Sequence, residues 1–426
     1  MLENNKSFRQ YLSLTYNCTE NELQAQFNRY NSICDGFVKI FNHCPDYFFS
    51  APGRVEIIGN HTDHNGGLVI AAGINLDMIA AMAPNASGKI NLFSLGYSEE
   101  IVSLDLTDLP VKDNERNSTI SLLRGIVARF EYLGYKVGGF DAYVSSEVMM
   151  GSGLSSSAAF EVLFGTILNI YYNQGAISPV EIAQIGQYAE NVYFGKPCGL
   201  MDQMASAIGG FVMIDFKDKA KPYYEKIDVD FQSSNYSLLI VDIKSDHQNL
   251  TADYASIPEE MMAICRIFDA RQCRDINPES FWARISNLRE KAGDRAVLRC
   301  LHFFEENKRV AVLKESLGKN DFTSFLKLIN ESGDSSFRWL QNCHSPRYPD
   351  NQGISLGLYL TQCFLREQNL KGACRVHGGG FAGSIEVFMP NTHLENYRKY
   401  MENVFGTGAV KVLKVRPIGA CYYRIQ

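Results

Sequence analysis

The chain has 426 residues, of which 46% are hydrophobic and 21% charged, a composition typical of a folded protein with two or three domains rather than a disordered one. A net charge of -6 without a cluster of Lys and Arg argues against nucleic-acid binding. Eleven unpaired, scattered cysteines, a polar N-terminus and the lack of a long uncharged apolar run predict a cytoplasmic protein without disulfides, zinc or a membrane span.

The first part of the chain is predicted to be a helix followed by strands. An amphipathic helix is expected over residues 19–44, because Thr19 and Glu22 have the spacing of a capping box and apolar residues then recur at helical intervals. Strands are expected beyond it. The apolar runs 68–73 and 78–82 are interpreted as a hairpin or as paired strands.

The middle of the chain alternates helices with strands. Residues 120–134 have a helical apolar pattern, and residues 140–144 alternate with the period of a half-buried strand. The glycine- and serine-rich segment 151–159 then leads into a long apolar helix that continues through Ile170. Two more helices are predicted within 180–209.

A polar stretch, residues 217–234, is the predicted domain boundary. Beyond it we predict a short strand at 238–242 and mostly helices over 257–330. Residues 341–353, rich in Pro, Asn and Asp, are interpreted as a surface connection. Strands are predicted again over 376–389 and to the end, and no internal repeat is visible.

Residues 51–67 concentrate polar side chains between glycines, more of them than a turn requires. These side chains belong to Arg54, Asn60, His61, Asp63, His64 and Asn65. A buried small polar ligand, such as a sugar, would need such a set of donors and acceptors. A metal site is the alternative, but adjacent His and Asp residues rarely direct three side chains at one ion.

The segment 151–159, Gly-Ser-Gly-Leu-Ser-Ser-Ser-Ala-Ala, has the layout of an anion cradle between a strand and a helix. Backbone N–H groups and the helix N-terminus favour phosphate in such a place. The Gly-Lys-Ser/Thr ending of a Walker A loop is missing, and Ser156 stands where a dinucleotide fingerprint needs its third glycine. A flexible turn capped by serine is the alternative, and the unbroken helix after it favours phosphate binding.

Two carboxylates follow this segment. Asp202 lies near a predicted helix start, away from the apolar face that includes Met201 and Met204. Such a residue is more often a partner of the helix dipole, but phosphoryl transfer needs a positioned carboxylate. Glu190, in the preceding helix, is either a Mg²⁺ ligand or a solvated charge.

Together, in this order, these segments resemble the GHMP small-molecule kinase superfamily. The first of them, from Pro52 to Gly67, resembles the galactokinase signature; 151–159 is similar to its phosphate loop, Cys198–Gln203 to the segment with its catalytic aspartate, and 378–383 to its third motif. The resemblance implies an α+β fold of two domains with the active site in the cleft between them. The implied division is a helical extension, 1–34, an N-terminal kinase domain, 35–216, and a C-terminal kinase domain, 217–426.

The resemblance implies transfer of the ATP γ-phosphoryl group to the anomeric hydroxyl of a sugar, with galactose as the first choice. Asp202 would accept or orient the C1 proton, and Arg54 would hold that oxygen and neutralise developing charge. His247 and Tyr254 stand where the family has a His and a sugar-contacting Tyr. The implied sugar-binding residues are Arg54, Asn60, His61, Asp63, Gly199, Asp202 and Tyr254. The implied ATP-binding residues are Gly151, Ser152, Gly153, Leu154, Ser155, Ser156, Ser157 and Ala158, and Mg²⁺ would be held by Ser157 and Glu190.

The chain departs from the family pattern at several positions. The family usually has Glu in place of Asn60, Tyr in place of His64 and a glycine in place of Ala382, and the arginines that commonly follow the Tyr are absent after Tyr254. In the family that Glu contacts the sugar around its C6 hydroxyl, and Asn, unlike Glu, also donates hydrogen bonds. The resemblance therefore implies altered tolerance at C6 of the sugar. The alternatives are a kinase of the same fold for N-acetylgalactosamine, galacturonate or arabinose, and a non-catalytic sensor of galactose and ATP. Intact Ser155–Ala159, Asp202 and Arg54 favour an enzyme, with a small-molecule sugar as its partner and no nucleic acid, membrane or obligate protein partner.

Overall fold

The structure, a computed structural model, describes residue 3 and residues 5–148, 153–229, 231–244 and 250–425. Gly151 and Ser152 of the predicted phosphate loop, and His247, lie outside these ranges. The strands described there, β1 to β12 in chain order, are Tyr47–Ile58, Leu68–Pro84, Lys89–Ser94, Val102–Asp105, Phe140–Ser146, Phe211–Asp215, Tyr223–Ile227, Tyr236–Asp242, Ala373–Val376, Ser384–Pro390, Val410–Leu413 and Cys421–Arg424. The α-helices, α1 to α13, are Lys6–Tyr16, Glu20–Phe41, Thr119–Tyr132, Ser156–Asn173, Pro179–Tyr188, Met201–Ile208, Thr251–Ile267, Pro278–Ala283, Ile285–Ala292, Asp294–Gly318, Phe322–Ser335, Gly353–Glu367 and Leu394–Phe405.

The larger sheet has the strand order β12-β1-β2-β5-β3-β4, and β6 and β7 extend it from the first half of β2. Its strands pair antiparallel except β3 and β5, which are parallel. The pairing of β1 with β2 shifts register between Pro52 and Arg54 and again between Glu56 and Ile58. Such irregularities bend a strand and redirect its side chains, and here they bracket the stretch of β1 that carries Arg54.

The prediction of a hairpin or paired strands for residues 68–82 is wrong, because both apolar runs belong to the single strand β2. The polar residues between the runs suggest a turn, but distant partners satisfy them in an extended backbone. Asn75 exchanges hydrogen bonds of 2.9 and 2.8 Å with the backbone of Lys414. Asp77 is fully buried and accepts a 2.8 Å bond from the buried guanidinium of Arg416.

Helices cover both faces of this sheet. Neighbouring residues of β1 point to opposite faces, so Phe49 belongs to the main core with α3 to α6, whereas Phe48 packs with the aromatic residues of α1 and α2. The predicted capping box of Thr19 and Glu22 is confirmed at the start of α2. This helix continues to Phe41, beyond the predicted end of the N-terminal extension, and that boundary stays a prediction.

The second sheet is fully antiparallel, in the order β11-β8-β10-β9, and packs against α12 and α13. Helices α7 to α10 form a separate core cluster. The polar stretch 217–234 contains β7, which pairs with β6 of the first sheet, and the last strand, β12, also returns to that sheet. The division at 216/217 stays a prediction. None of the helices in the described ranges is long and apolar enough to span a membrane.

The prediction of a surface connection for 341–353 is wrong for its first residues. Asn342, Cys343 and Ser345 are buried. The Ser345 hydroxyl donates a 2.8 Å hydrogen bond to the buried carboxylate of Asp253. A polar composition indicates exposure only when water is the partner, and here protein groups take its place.

Candidate active site

An ion pair between Arg54 of β1 and Asp202 in the first turn of α6 stands at the centre of the candidate site. Arg54 Nε donates to Asp202 Oδ1 and Nη2 donates to Oδ2, both at 2.7 Å, the fork geometry that makes such pairs strong. The remaining nitrogen, Nη1, donates to the backbone oxygen of Gly153 at 2.6 Å. The guanidinium is buried, but the Asp202 side chain is 29% exposed, so a substrate could reach the carboxylate.

Backbone contacts hold these two side chains in place. The N–H of Arg54 donates to the carbonyl of Leu154 at 3.2 Å, which joins β1 to the segment before α4. The Ser206 hydroxyl of α6 donates to the carbonyl of Pro52 at 2.7 Å. Hydrogen bonds therefore join the segments that carry the predicted base, the predicted cation and the described part of the phosphate loop.

The carboxylate of Asp202 is held in its ionised form. Burial by itself would raise its pKa, but the charge and hydrogen bonds of Arg54 outweigh burial and lower the pKa below its usual value. The Ser155 hydroxyl adds a hydrogen bond of 2.5 Å to Oδ2. At neutral pH Asp202 is thus an anion that can accept a hydrogen bond and orient a hydroxyl group.

The described part of the predicted phosphate loop leads into α4 as expected. Gly153 and Ser155 have φ values of 76° and 60°, and α4 begins at Ser156. Because the Ser155 hydroxyl binds Asp202, no described side chain caps α4. The uncapped N–H groups of its first turn, which includes Ala158, form the kind of site that binds an anion.

Ser157 and Glu190, the predicted Mg²⁺ ligands, lie together. The Ser157 hydroxyl donates to Glu190 Oε1 at 3.0 Å, and the Lys196 ammonium is 3.1 Å from the same oxygen. A hydroxyl beside a buried carboxylate suits Mg²⁺, which takes oxygen ligands and usually keeps water and substrate phosphate in its shell. The residues present therefore fit the predicted ion.

Three further residues of this cluster were missed from the sequence. Gln203 Nε2 donates to Glu190 Oε2 at 3.0 Å and to Glu161 Oε2 at 2.9 Å. Lys196, the third, pairs with Glu190; burial by itself would lower the pKa of its ammonium, but the Glu190 carboxylate raises it above its usual value. Glu161 follows Ser157 by one helical turn, and that spacing is the signal that could have found it.

Asp63 lies against the loop that precedes α6. Gly199 allows this approach, because a Cβ atom there would stand 1.7 Å from Asp63 Oδ2. Burial raises the pKa of Asp63 to about 6; His61 opposes this rise, whereas Asp202 and Glu56 add to it.

His61 and Tyr254 bind the third glycine-rich motif, and His64 lies beside His61. His61 Nε2 donates to the carbonyl of Gly379 at 2.9 Å, and the Tyr254 hydroxyl donates to the carbonyl of Gly380 at 3.0 Å. His61 Nδ1 is 3.2 Å from His64 Nε2, and burial lowers the pKa of both rings. The predicted sugar residues of both chain halves thus lie together, and within the described ranges no cluster of three or more His, Cys, Asp or Glu is arranged to hold a metal.

Asn60 is buried and bound to protein at all four hydrogen-bonding positions of its amide. Its Nδ2 donates to Glu56 Oε1 at 3.0 Å and to the carbonyl of Gly378 at 2.7 Å. Its Oδ1 accepts from Ser336 at 3.3 Å and from Asn342 at 2.7 Å. A direct contact between this side chain and a sugar stays a prediction, and it would require one of these bonds to be exchanged.

Comparison with known proteins agrees with this arrangement. The chain matches the galactokinase galactose-binding signature over residues 35–84 and the GHMP kinases N terminal domain over residues 121–210. It is 31% identical over 367 residues to a galactokinase of Glaesserella parasuis serovar 5, with 85% of this chain and 90% of the relative covered. It is 28% identical over 390 residues to a galactokinase of Clostridium tetani, with 91% and 94% covered.

Solved structures show the same fold. The crystal structure of Lactococcus lactis galactokinase complexed with galactose superposes with a TM-score of 0.78 at 22% identity, covering 92% of this chain and 99% of that one. Methanococcus jannaschii mevalonate kinase gives a TM-score of 0.59 at 17% identity, covering 86% and 98%. The predicted α+β fold of GHMP kinases is confirmed.

Proposed function

This chain belongs to the galactokinase family, and we propose that it transfers the γ-phosphoryl group of ATP to the C1 hydroxyl of galactose, giving galactose 1-phosphate and ADP. The observation that carries the proposal is the bidentate pair of Arg54 and Asp202. Arg54 Nη1 ties this pair to Gly153 and a Ser155 hydroxyl ties it to the start of α4. A carboxylate that orients a hydroxyl beside a phosphate cradle is what phosphoryl transfer requires.

In the proposed reaction the C1 oxygen forms a bond to the γ-phosphorus while the bond from that phosphorus to the leaving oxygen of ADP breaks. Asp202 orients the C1 hydroxyl and accepts its proton. Arg54 keeps Asp202 ionised and offers positive charge beside the reacting oxygen. The pair supplies positioning more than basicity, because the pKa of Asp202 is lowered.

ATP is proposed to bind through the loop that ends at Ser155 and through the first turn of α4. The uncapped N–H groups there favour the phosphates. Mg²⁺ held by Ser157 and Glu190 would neutralise phosphate charge when bound. On the sugar side we assign contacts to Asp63 and Tyr254, as well as to His61, Gly199 and Asn60.

The test of the proposed function is ADP release from Mg·ATP with a panel of sugars. Galactose is expected to give the highest kcat/KM among galactose, N-acetylgalactosamine, galacturonate and arabinose. A higher value for one of the other three would assign the enzyme to that sugar. Galactose binding without ADP release from any member of the panel would indicate a sensor and contradict the proposal.

The close approach of Gly199 to Asp63 yields a first prediction. In Gly199→Ala the new methyl group would displace the Asp63 carboxylate, so we expect kcat/KM for galactose to fall about 100-fold, as misplaced binding groups typically cause. The KM for ATP should change little. Gly318→Ala is the matched control, since a Cβ there meets nothing within 4 Å; equal kinetics of both variants would contradict this role of Gly199.

The raised pKa of Asp63 yields a second prediction. As pH falls through about 6 the carboxylate takes up a proton, so that one of its oxygens becomes a donor and the charge that strengthened its hydrogen bonds from sugar hydroxyls is lost. We therefore expect kcat/KM for galactose in wild type to fall on the acid side of pH 6. Asp63→Asn should have a lower kcat/KM without this acid limb, and an unchanged limb in the variant would assign it to another group.

We infer that the reaction takes place in the cytoplasm, where ATP is supplied. All eleven cysteines are free thiols, although the sulfur of Cys273 lies 3.6 Å from that of Cys265 and 3.7 Å from that of Cys300. Neighbouring thiols that stay reduced support a reducing compartment.

A further inference from the structure

Lys196 is a cation of the candidate site that the proposed reaction leaves without a role. It lies in the loop between the π-helical turn Ala189–Phe194 and α6. The N–H groups of Gly195 and Lys196 both donate to the carbonyl of Glu190, at 3.0 and 3.2 Å. Gly195 adopts φ = 88°, a left-handed conformation that favours glycine and sends the chain back past Glu190.

The ammonium of Lys196 lies beside one of the predicted metal ligands. Its Nζ is 3.1 Å from Glu190 Oε1, and its charge also acts on Asp202 and Tyr254. The Lys196 side chain is 60% exposed, whereas that of Glu190 is 3% exposed. An exposed ammonium is therefore paired with a buried carboxylate.

Lys196 differs from the other cation of the site in its freedom to move. The Arg54 nitrogens are all committed, two to Asp202 and one to Gly153, in a buried position. Among the residues that the structure describes, the Lys196 ammonium makes one ion pair, with Glu190, at the end of a flexible four-carbon stem. Rotation about the bonds of this stem could therefore exchange the contact with Glu190 for a contact with a phosphate oxygen.

We propose that Lys196 is a further catalytic residue, whose ammonium moves from Glu190 to the non-bridging oxygens of the phosphoryl group that ATP transfers. This inference rests on the proposed function. Negative charge is spread over these oxygens in the transition state, and a lysine neutralises it as a point charge. The bonds that form and break are those of the proposed reaction, and Lys196 keeps its protons throughout.

The test compares Lys196→Met and Lys196→Arg with the control Lys221→Met, which removes an exposed lysine in the polar stretch before β7. Lys196→Met is expected to lower kcat by about 100-fold, the usual effect of losing one charge-stabilising donor. Lys196→Arg keeps the positive charge, so its kcat should be higher than that of Lys196→Met and lower than that of wild type. A binding readout accompanies the kinetics. The dissociation constant of AMP-PNP, which carries a γ-phosphoryl group, should rise in Lys196→Met, and that of ADP should not.

Two results would overturn the proposal: a kcat of Lys196→Met equal to that of the control, or equal weakening of ADP and AMP-PNP. The second result would mean that Lys196 only holds the Glu190 carboxylate. Failure of the proposed function is seen separately, as the absence of sugar-dependent ADP release in wild type. The comparison of ADP with AMP-PNP reports on Lys196 in that case too, because it needs no turnover.

Discussion

Replacing Asp202 with alanine is expected to lower kcat for galactose phosphorylation by about 1,000-fold or more, within the range of general-base contributions, while galactose still binds. The fall in kcat has two causes, because the variant lacks both the group that accepts the C1 proton and the group that orients the C1 hydroxyl. Binding survives because Asp63 and Tyr254 hold the sugar independently of Asp202 in the proposed site. Single-turnover phosphorylation and calorimetric titration with galactose measure the two quantities separately.

The control for this variant is Asp35→Ala, which removes an exposed carboxylate of α2. Asp202→Asn adds a second comparison, because it keeps the shape of the side chain and removes its charge. If Asp202→Ala retained turnover near that of wild type, Asp202 would not be the base. If galactose binding were lost as well, the carboxylate would act mainly in sugar recognition.

Replacing Arg54 with methionine is expected to lower kcat by about 100-fold or more, comparable to the loss of a donor in an oxyanion hole. It should also change the pH profile. The Arg54 charge is what outweighs burial at Asp202, so without it the pKa of Asp202 rises. Activity that depends on the ionised carboxylate is then lost at higher pH than in wild type. The acid limb of the kcat profile therefore shifts to higher pH.

Arg54→Lys tests the geometry of the pair. A lysine keeps the charge but cannot donate to both oxygens of Asp202 and to the carbonyl of Gly153 at once, so a loss close to that of Arg54→Met is expected. Arg271→Met, at a side chain that is 91% exposed, is the control. The double variant Arg54→Met/Asp202→Asn should lose less than the sum of the single losses, because the residues act as a unit; full additivity would argue against coupling.

The chemistry-bearing segments were recognisable in the sequence because each keeps its residues within a few positions of one another. The glycine-serine segment before α4 and the acid at the start of α6 are local patterns, and the structure places Ser155 next to Asp202. The pairing of Ser157 with Glu190 also agrees with the prediction. Their roles toward ATP and Mg²⁺ stay predictions.

Asn60 shows what a local pattern cannot reveal. In the sequence it is a departure from the usual Glu, with a consequence expected at the sugar. In the structure it lies beside Glu56, whose carboxylate also pairs with the buried Arg375 at 2.7 Å. A carboxylate at position 60 would lose both donated bonds and face the charge of Glu56. The residues packed around position 60 therefore explain why asparagine stands there instead of glutamate.

By itself the sequence determined several helices and strands, the family resemblance and the residues around which a site could form, because these depend on short-range periodicity and spacing. The prediction of strands from 376 to the end is wrong for Leu394–Phe405, which form the helix α13. Only the tertiary structure decided that β2 is one strand, that the start of 341–353 is buried, and that Lys196, Glu161 and Gln203 complete the cluster at Glu190. These features depend on partners far away in sequence, such as Arg416 for Asp77. The sequence does not show whether the hydrogen-bonding groups of a polar residue are bound by water or by a side chain distant in the chain.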